Sequence, residues 1–326
     1  METGSKLSSY AGAIALMASA LTPGYATAQE YPAQPIQIVV PGTPGITGDI
    51  LARLLGTKLS ERLKVPIVVD NKAGAGGILG MQFVAKSPPT GYTLLVANTS
   101  YSTLTALNKL PPESVNNLVP VALLGTSAMT LIVTNSFPAK NVRELIDEVK
   151  KRPGFYNYAS PGVGSIQSMA MEFFAQEAGI SLTHVPYKGT SGGLSDLIAG
   201  HVDLGVVSLP AATSMIKAGK VRILAMLGKK RATQFPDVPT MIESGFPSVV
   251  VETWNGVMAP VGVSPAVIAK LNKEIDDVLK LPDIREASLK AGVEPAGGAP
   301  GVLGTLIHKE ADMWRLVIKR GNIVAE

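Results

Sequence analysis

Pro41-Gly42-Thr43-Pro44-Gly45-Ile46-Thr47-Gly48-Asp49 separates a short apolar run from a long periodic one. Before it, Pro35-Ile36-Gln37-Ile38-Val39-Val40 reads as a buried strand. After it, Ile50, Leu51, Leu54, Leu55, Leu59 and Leu63 recur at helical spacing. A Gly, Pro and Thr loop between strand and helix leaves backbone N–H groups without intrahelical acceptors, at the positive end of the helix dipole. The loop is a candidate seat for an anion, expected to be the carboxylate of a small molecule. Thr43, Pro44, Gly45, Ile46 and Thr47 are its candidate contacts.

The same pattern recurs downstream. Pro66-Ile67-Val68-Val69 closes the first βαβ unit, and Thr93-Leu94-Leu95-Val96-Ala97 is a third strand followed by the polar loop Asn98-Thr99-Ser100. Strands alternating with helices predict a parallel sheet covered on both faces. Leu118 to Val133 reads as two apolar runs with Gly125-Thr126-Ser127 between them. A second α/β series follows. Asn141 is a good N-cap for a helix over Val142–Lys151. Strands are expected at Tyr156–Ala159, Leu182–Pro186, Asp203–Val207 and Val221–Leu227, with Ser160–Ser165 and Tyr187–Ser191 as strand-to-helix loops. Ser264-Pro265 is an N-cap followed by proline at the first helical position.

Composition narrows the function. The chain has 326 residues, with 33 Gly, 24 Pro, no Cys and a formal charge of +4. The basic residues are scattered and form no long run, so nothing points to nucleic acid. Without Cys there is no disulfide, thiolate nucleophile or zinc–cysteine site. Lys6, the apolar stretch Tyr10–Leu21 and Ala26-Thr27-Ala28 read as a secretory signal peptide over 1–28, cleaved near Ala28. No later segment reaches the roughly 20 apolar residues a membrane helix needs.

Catalytic and cofactor motifs fail their tests. Gly74-Ala75-Gly76 follows a strand, but Leu79 stands where a dinucleotide fingerprint needs its third glycine, and no acid lies between Asp70 and Glu113 to hold a ribose. A turn permitting close helix–sheet approach accounts for those glycines. There is no phosphate loop. Of the three histidines, His184 reads as a core or hinge residue, His201 lies in a turn and His308 on a polar helix face; none has a second His at metal-ligand spacing. No metal and no cofactor is expected. What remains is a set of loops rich in small hydroxyls and amides, all after strand C-termini, the edge at which open α/β sheets bind ligands. They add Asn98, Thr99, Ser160, Gly162, Ser165 and Tyr187 to the candidates. Donors without a nucleophile, base or metal suit binding better than turnover.

Several segments together carry a family resemblance. They are Tyr31–Ile36, Asp70–Gly77, Gly91–Leu95, Tyr158–Ser165, Val185–Gly189, Gly200–Asp203 and Phe235–Thr240. In that order they resemble the extracytoplasmic receptors of tripartite tricarboxylate transporters, also called Bug-type solute receptors, across essentially all of the chain after the signal segment. The resemblance implies a periplasmic-binding-protein-like (type II) α/β fold: two α/β lobes joined by a hinge, with a ligand cleft between them. It implies a small organic anion as ligand, membrane permease subunits as partners, and no enzyme activity. It places one ligand carboxylate on the loop Pro41–Asp49, partly through ordered waters. The second lobe then closes with Ser160–Ser165, Tyr187–Gly189 and the strand end at Val207-Ser208.

The chain departs from the family pattern in three places. Gly42 replaces an aromatic residue and Ile46 a glycine in the first loop, Ser168 stands where His is common, and Val207 where Asp is common. Loss of that Asp removes a partner for a ligand ammonium, which favours a dicarboxylate or an aromatic carboxylate. The expected lobes are 30–126 with 228–326, and 127–227, with crossings near Gly125–Ser127 and Leu227-Gly228. The expected state is a periplasmic monomer. The rival readings are a secreted α/β hydrolase or transferase, which needs a His base in the cleft, and a receptor feeding a signalling system.

Overall fold

The computed structural model describes residues 31–187 and 189–323. The expected signal peptide over 1–28 and Lys188 lie outside the described residues. From Gln34 onward the described chain is one compact unit. Its elements in order are β1 (Ile36–Val40), α1 (Thr47–Leu63), β2 (Ile67–Asn71), α2 (Ile78–Ala85), β3 (Thr93–Asn98), α3 (Ser100–Ala106), α4 (Pro112–Asn116) and β4 (Leu118–Thr134). Then come α5 (Val142–Lys151), β5 (Asn157–Ser160), α6 (Ile166–Ala178), β6 (Thr183–Pro186), α7 (Thr190–Ala199), β7 (Leu204–Ser208), α8 (Leu209–Lys217) and β8 (Val221–Met226). Last are β9 (Glu252–Pro260), α9 (Pro265–Leu279), α10 (Pro282–Lys290), β10 (Glu294–Pro295) and α11 (Pro300–Gly321).

Local chemistry accounts for many boundaries. The Asn141 side chain accepts the Glu144 N–H at 2.9 Å, and the Glu144 carboxylate returns to the Lys140 N–H at 2.8 Å. Such a reciprocal cap is worth about 1 kcal/mol. Ser264 caps α9 through the Val267 N–H, and Gly179 ends α6 in the left-handed region at φ 60°.

The strands lie in the order β2-β1-β3-β9-β4-β7-β5-β6, with β8 and β10 also pairing with β4. The parallel expectation holds for β1, β2 and β3 and for β5, β6 and β7. The centre is different: β9 runs antiparallel to both β3 and β4. The two apolar runs expected between Leu118 and Val133 are one continuous strand of 17 residues. Gly125 is no turn. It lies in the ladder where β10 crosses, and a Cβ there would stand 2.5 Å from the Glu294 carbonyl oxygen. The strand bulges between Leu123 and Gly125, which absorbs the crossing.

β4 feeds two cores. Its first half packs with Val39, Leu95, Tyr101, Trp254 and Met258. Its second half packs with Tyr158, Met169, Phe174 and Leu204. Met241, Val249 and Val251 belong to this second core. α11 belongs to both: Leu303 and Ile307 sit in the first core, Trp314 and Val317 in the second. Trp254 and Trp314, buried to 1% and 0% exposure, are among the largest single apolar contributions to these cores.

Candidate functional site

The strand directions bring the candidate loops face to face. β3 ends at Asn98, which pairs with Asn255, which in turn pairs with Gly125 of β4. β7 approaches from the opposite side and ends at Ser208, which pairs with Met129 of β4. β1 is parallel to β3, and β5 to β7. The C-terminal edges of both strand groups therefore converge over the short stretch Gly125–Met129, and the strand-to-helix loops open there.

The first loop is held from below. Lys72 N–H donates to the Val40 carbonyl at 2.8 Å and Asn71 Nδ2 to the Gly42 carbonyl at 3.1 Å. Gly80 of α2 leaves room for Pro41, since a Cβ there would lie 2.9 Å from the Pro41 Cα. Gly77 and Gly80 thus serve close packing against Pro41, whereas Gly74 and Gly76, expected to allow close helix–sheet approach, do not: Gly76 has open space around it, Gly74 faces only the Leu79 side chain, and both have positive φ. Ile46 folds back over Gly42: a Cβ on Gly42 would meet Ile46 Cδ1 at 2.3 Å. Gly42 and Ile46 are one packing solution, with Ile46 filling the space that a side chain at 42 would occupy.

Asp49 is 3% exposed and lies in the first turn of α1. Its Oδ2 accepts from Arg53 Nε at 3.0 Å and from the Gly45 N–H at 2.9 Å, and Arg53 NH2 lies 2.9 Å from its Oδ1. The Arg53 hydrogen bond, with help from Gly45, holds the carboxyl below its usual range against the effect of burial. The pair adds no net charge to the loop. Among the described residues no acceptor meets the N–H groups of Thr47 and Gly48, and the hydroxyls of Thr43 and Thr47 have no partner.

The facing loop precedes α6. Ser165 accepts the Ser168 N–H at 3.2 Å and donates to the Gly162 carbonyl at 2.7 Å, so its hydroxyl is engaged in capping. The N–H groups of Ile166 and Gln167 meet no acceptor among the described residues. Other candidates also carry structural bonds. Asn98 Oδ1 accepts the Ser100 N–H at 2.9 Å. Thr99, buried, accepts the Trp254 N–H at 2.8 Å. Tyr187 donates to Asp196 at 2.6 Å, and Val207 is buried with its carbonyl bonded to Thr130. Ser208 precedes α8 and its hydroxyl has no partner among the described residues.

Two relationships escape a reading of the sequence. His184 Nε2 lies 2.6 Å from Ser160 Oγ, which also accepts the Gly162 N–H at 3.1 Å. The His184 ring stacks on Tyr158 with centroids 4.8 Å apart. Burial lowers the His184 pKa, opposed by the charge of Glu172. A hydrolase needs such a Ser–His pair, together with an acid bonded to the other ring nitrogen. Here Glu172 accepts instead from the Tyr158 hydroxyl at 2.6 Å, and His184 Nδ1 has no acid partner among the described residues. The second relationship concerns Asn255, whose side chain lies beside Gly48 at the start of α1. No group of His, Cys, Asp or Glu among the described residues is arranged to hold a metal ion.

Comparison with known proteins places these features. Residues 51–323 match the family described as "Tripartite tricarboxylate transporter family receptor". Protein BugT of Bordetella pertussis is 36% identical over 296 residues, covering 90% of this chain and 91% of BugT. The structure of an R. palustris protein with adipate is 31% identical, with TM-score 0.78, covering 90% of this chain and 99% of that one. MatC from Rhodopseudomonas palustris with bound malate is 31% identical, with TM-score 0.74, covering 88% and 100%.

Proposed function

The chain belongs to the tripartite tricarboxylate transporter receptor family, and from that premise we propose that it captures a small dicarboxylate in the cleft over Gly125–Met129 and presents it to membrane permease subunits. The observation that carries this is the convergence of two helix starts, α1 and α6, on one stretch of β4, each with backbone N–H groups that meet no acceptor among the described residues. Two such starts facing each other suit an anion with a charge at either end.

Adipate and malate, named in two related structures, are both dicarboxylates. That supports the dicarboxylate over the aromatic acid. The first loop supplies Thr43, Thr47 and the N–H groups of Thr47 and Gly48. The second supplies the N–H groups of Ile166 and Gln167, with Ser208 at the strand end. Ser160, Ser165, Asn98 and Thr99 hold these groups in place through their own bonds. Closure would swing one half of the sheet against the other about the middle of β4, excluding water and adding contacts. Periplasmic residence, with the segment 1–28 as export signal, belongs to the same proposal.

Thermal denaturation of the protein beginning at Gln29 tests the reading. Dicarboxylates should raise the melting temperature, since a ligand at about a hundred times its Kd adds roughly 2.7 kcal/mol. Greater stabilisation by neutral sugars, or none by any organic acid, sinks it.

A further inference from the structure

We infer that the carboxamide of Asn255 is the side-chain donor that completes the carboxylate seat at the start of α1, beside the N–H groups of Thr47 and Gly48. This rests on the receptor reading above and names a residue within that site.

Asn255 is 6% exposed, yet its carboxamide has no hydrogen-bond partner among the described residues. The amide is not sealed from solvent, so water pairs it until a ligand carrying acceptors enters the cleft and takes that water's place. Its position agrees. β9 alternates, so Trp254 turns to α11 while Asn255 turns to the face covered by α1. Asn255 Oδ1 lies 3.2 Å from where a Cβ on Gly48 would stand, with Val96 and Val40 just beyond. Gly48 is thus the residue whose missing side chain leaves the amide open to the helix start. A half-turn of the carboxamide exchanges its oxygen and nitrogen, presenting Nδ2 to an anion there.

The neighbours leave this role to Asn255. Asn98, directly across the ladder, already uses its Oδ1 on the Ser100 N–H. Gly125, the partner on the other side, has no side chain. Asp49 is engaged by Arg53 and the Gly45 N–H. The amide and two free N–H groups make three donors around one point, walled by valines. That set suits a carboxylate and offers a cation no ionised acceptor.

Isothermal titration of the protein beginning at Gln29 with adipate, malate and benzoate provides the test, alongside Asn255→Ala, Asn255→Asp and Gly48→Ala. For an acid that the unmodified protein binds, Asn255→Ala should weaken binding about ten-fold or more, the loss expected for one hydrogen bond to a charged group. Asn255→Asp has the same shape but opposes a carboxylate, and should weaken it further while the ligand-free melting temperature stays near the original. Should the alanine variant fail to fold, the aspartate variant carries the comparison. Binding within two-fold of the original in the folded variants overturns the inference and leaves the receptor reading standing. If the three acids and every other organic acid tried fail to bind the unmodified protein, the receptor reading fails and the inference falls with it.

Discussion

Trp254 Nε1–H donates to the Glu310 carboxylate over 2.6 Å at the middle of α11, between the residues of that helix that enter the first core and those that enter the second. A charged group in this position is poorly solvated. Burial pushes the Glu310 carboxyl up to about 7, beyond what the Trp254 bond offsets.

The sign of the stability effect follows. Between pH 4.5 and about 7 the folded chain keeps a proton on Glu310 that the unfolded chain has released. Stability from this group is fully present below pH 4.5 and is lost as pH rises to about 7, by a total of about 3 kcal/mol. Glu310→Gln should remove that slope, so the variant gains relative to the original as pH rises. Urea unfolding of both proteins at pH 5 and pH 8 measures it; an equal stability difference at the two values rules the account out.

His184 should act in the opposite sense. Its pKa is lowered by burial, so the unfolded chain takes up the proton first as pH falls below the ordinary value of 6.5. Stability from His184 is present above 6.5 and declines below it. Its ring resonances in NMR should titrate with a midpoint below 6.5; a midpoint above that value contradicts the burial argument. Because the Glu310 and His184 windows overlap with opposite signs, His184 offsets part of the Glu310 slope, and a variant lacking the imidazole should show a steeper pH profile than the unmodified protein.

Gly292 and Pro210 meet across the halves of the sheet. Gly292 has φ 74°, and a Cβ on it would stand 1.8 Å from Pro210 Cγ. Its carbonyl also receives the Ser127 hydroxyl at 2.5 Å. Gly292→Ala should hold α8 away and hinder closure, weakening dicarboxylate binding about ten-fold or more, as expected where closure adds ligand contacts. The added Pro210→Ala should recover part of that loss. Unchanged affinity in Gly292→Ala would show that closure does not use this contact.

Asp49→Asn should trade stability for affinity. It leaves Arg53 without its anion and weakens the first turn of α1, costing about 1 kcal/mol. It also leaves a net positive charge beside the helix start, so dicarboxylates should bind several-fold tighter at low salt. Titration at two salt concentrations checks this; weaker binding at low salt contradicts it.

What the sequence made legible was local. The loop Pro41–Asp49, the Asn141 and Ser264 caps and the Gly179 stop are each decided within a few residues, so spacing and side-chain chemistry expose them. In the sequence Gly125 reads as a turn signal within β4, whereas the glycine is required by Glu294, far along the chain. The candidate site divides the same way. Thr43, Thr47 and Ser208 have hydroxyls without a partner among the described residues, while Thr99, Ser165 and Tyr187 hold structure through Trp254, Gly162 and Asp196. Asn255 and the Ser160–His184 pair depend on strand register and could not be found from composition or periodicity.

The double membership of α11 has a consequence for how the chain is made. Leu303 and Ile307 finish one core and Trp314 and Val317 the other. Neither half can reach its full packing until residues 300–317 have emerged, so both cores should stay incomplete in a growing chain until its last helix is made. A chain stopped at Ala299 should lose cooperative unfolding in both halves together; retention of a protease-resistant half would show that one core closes early.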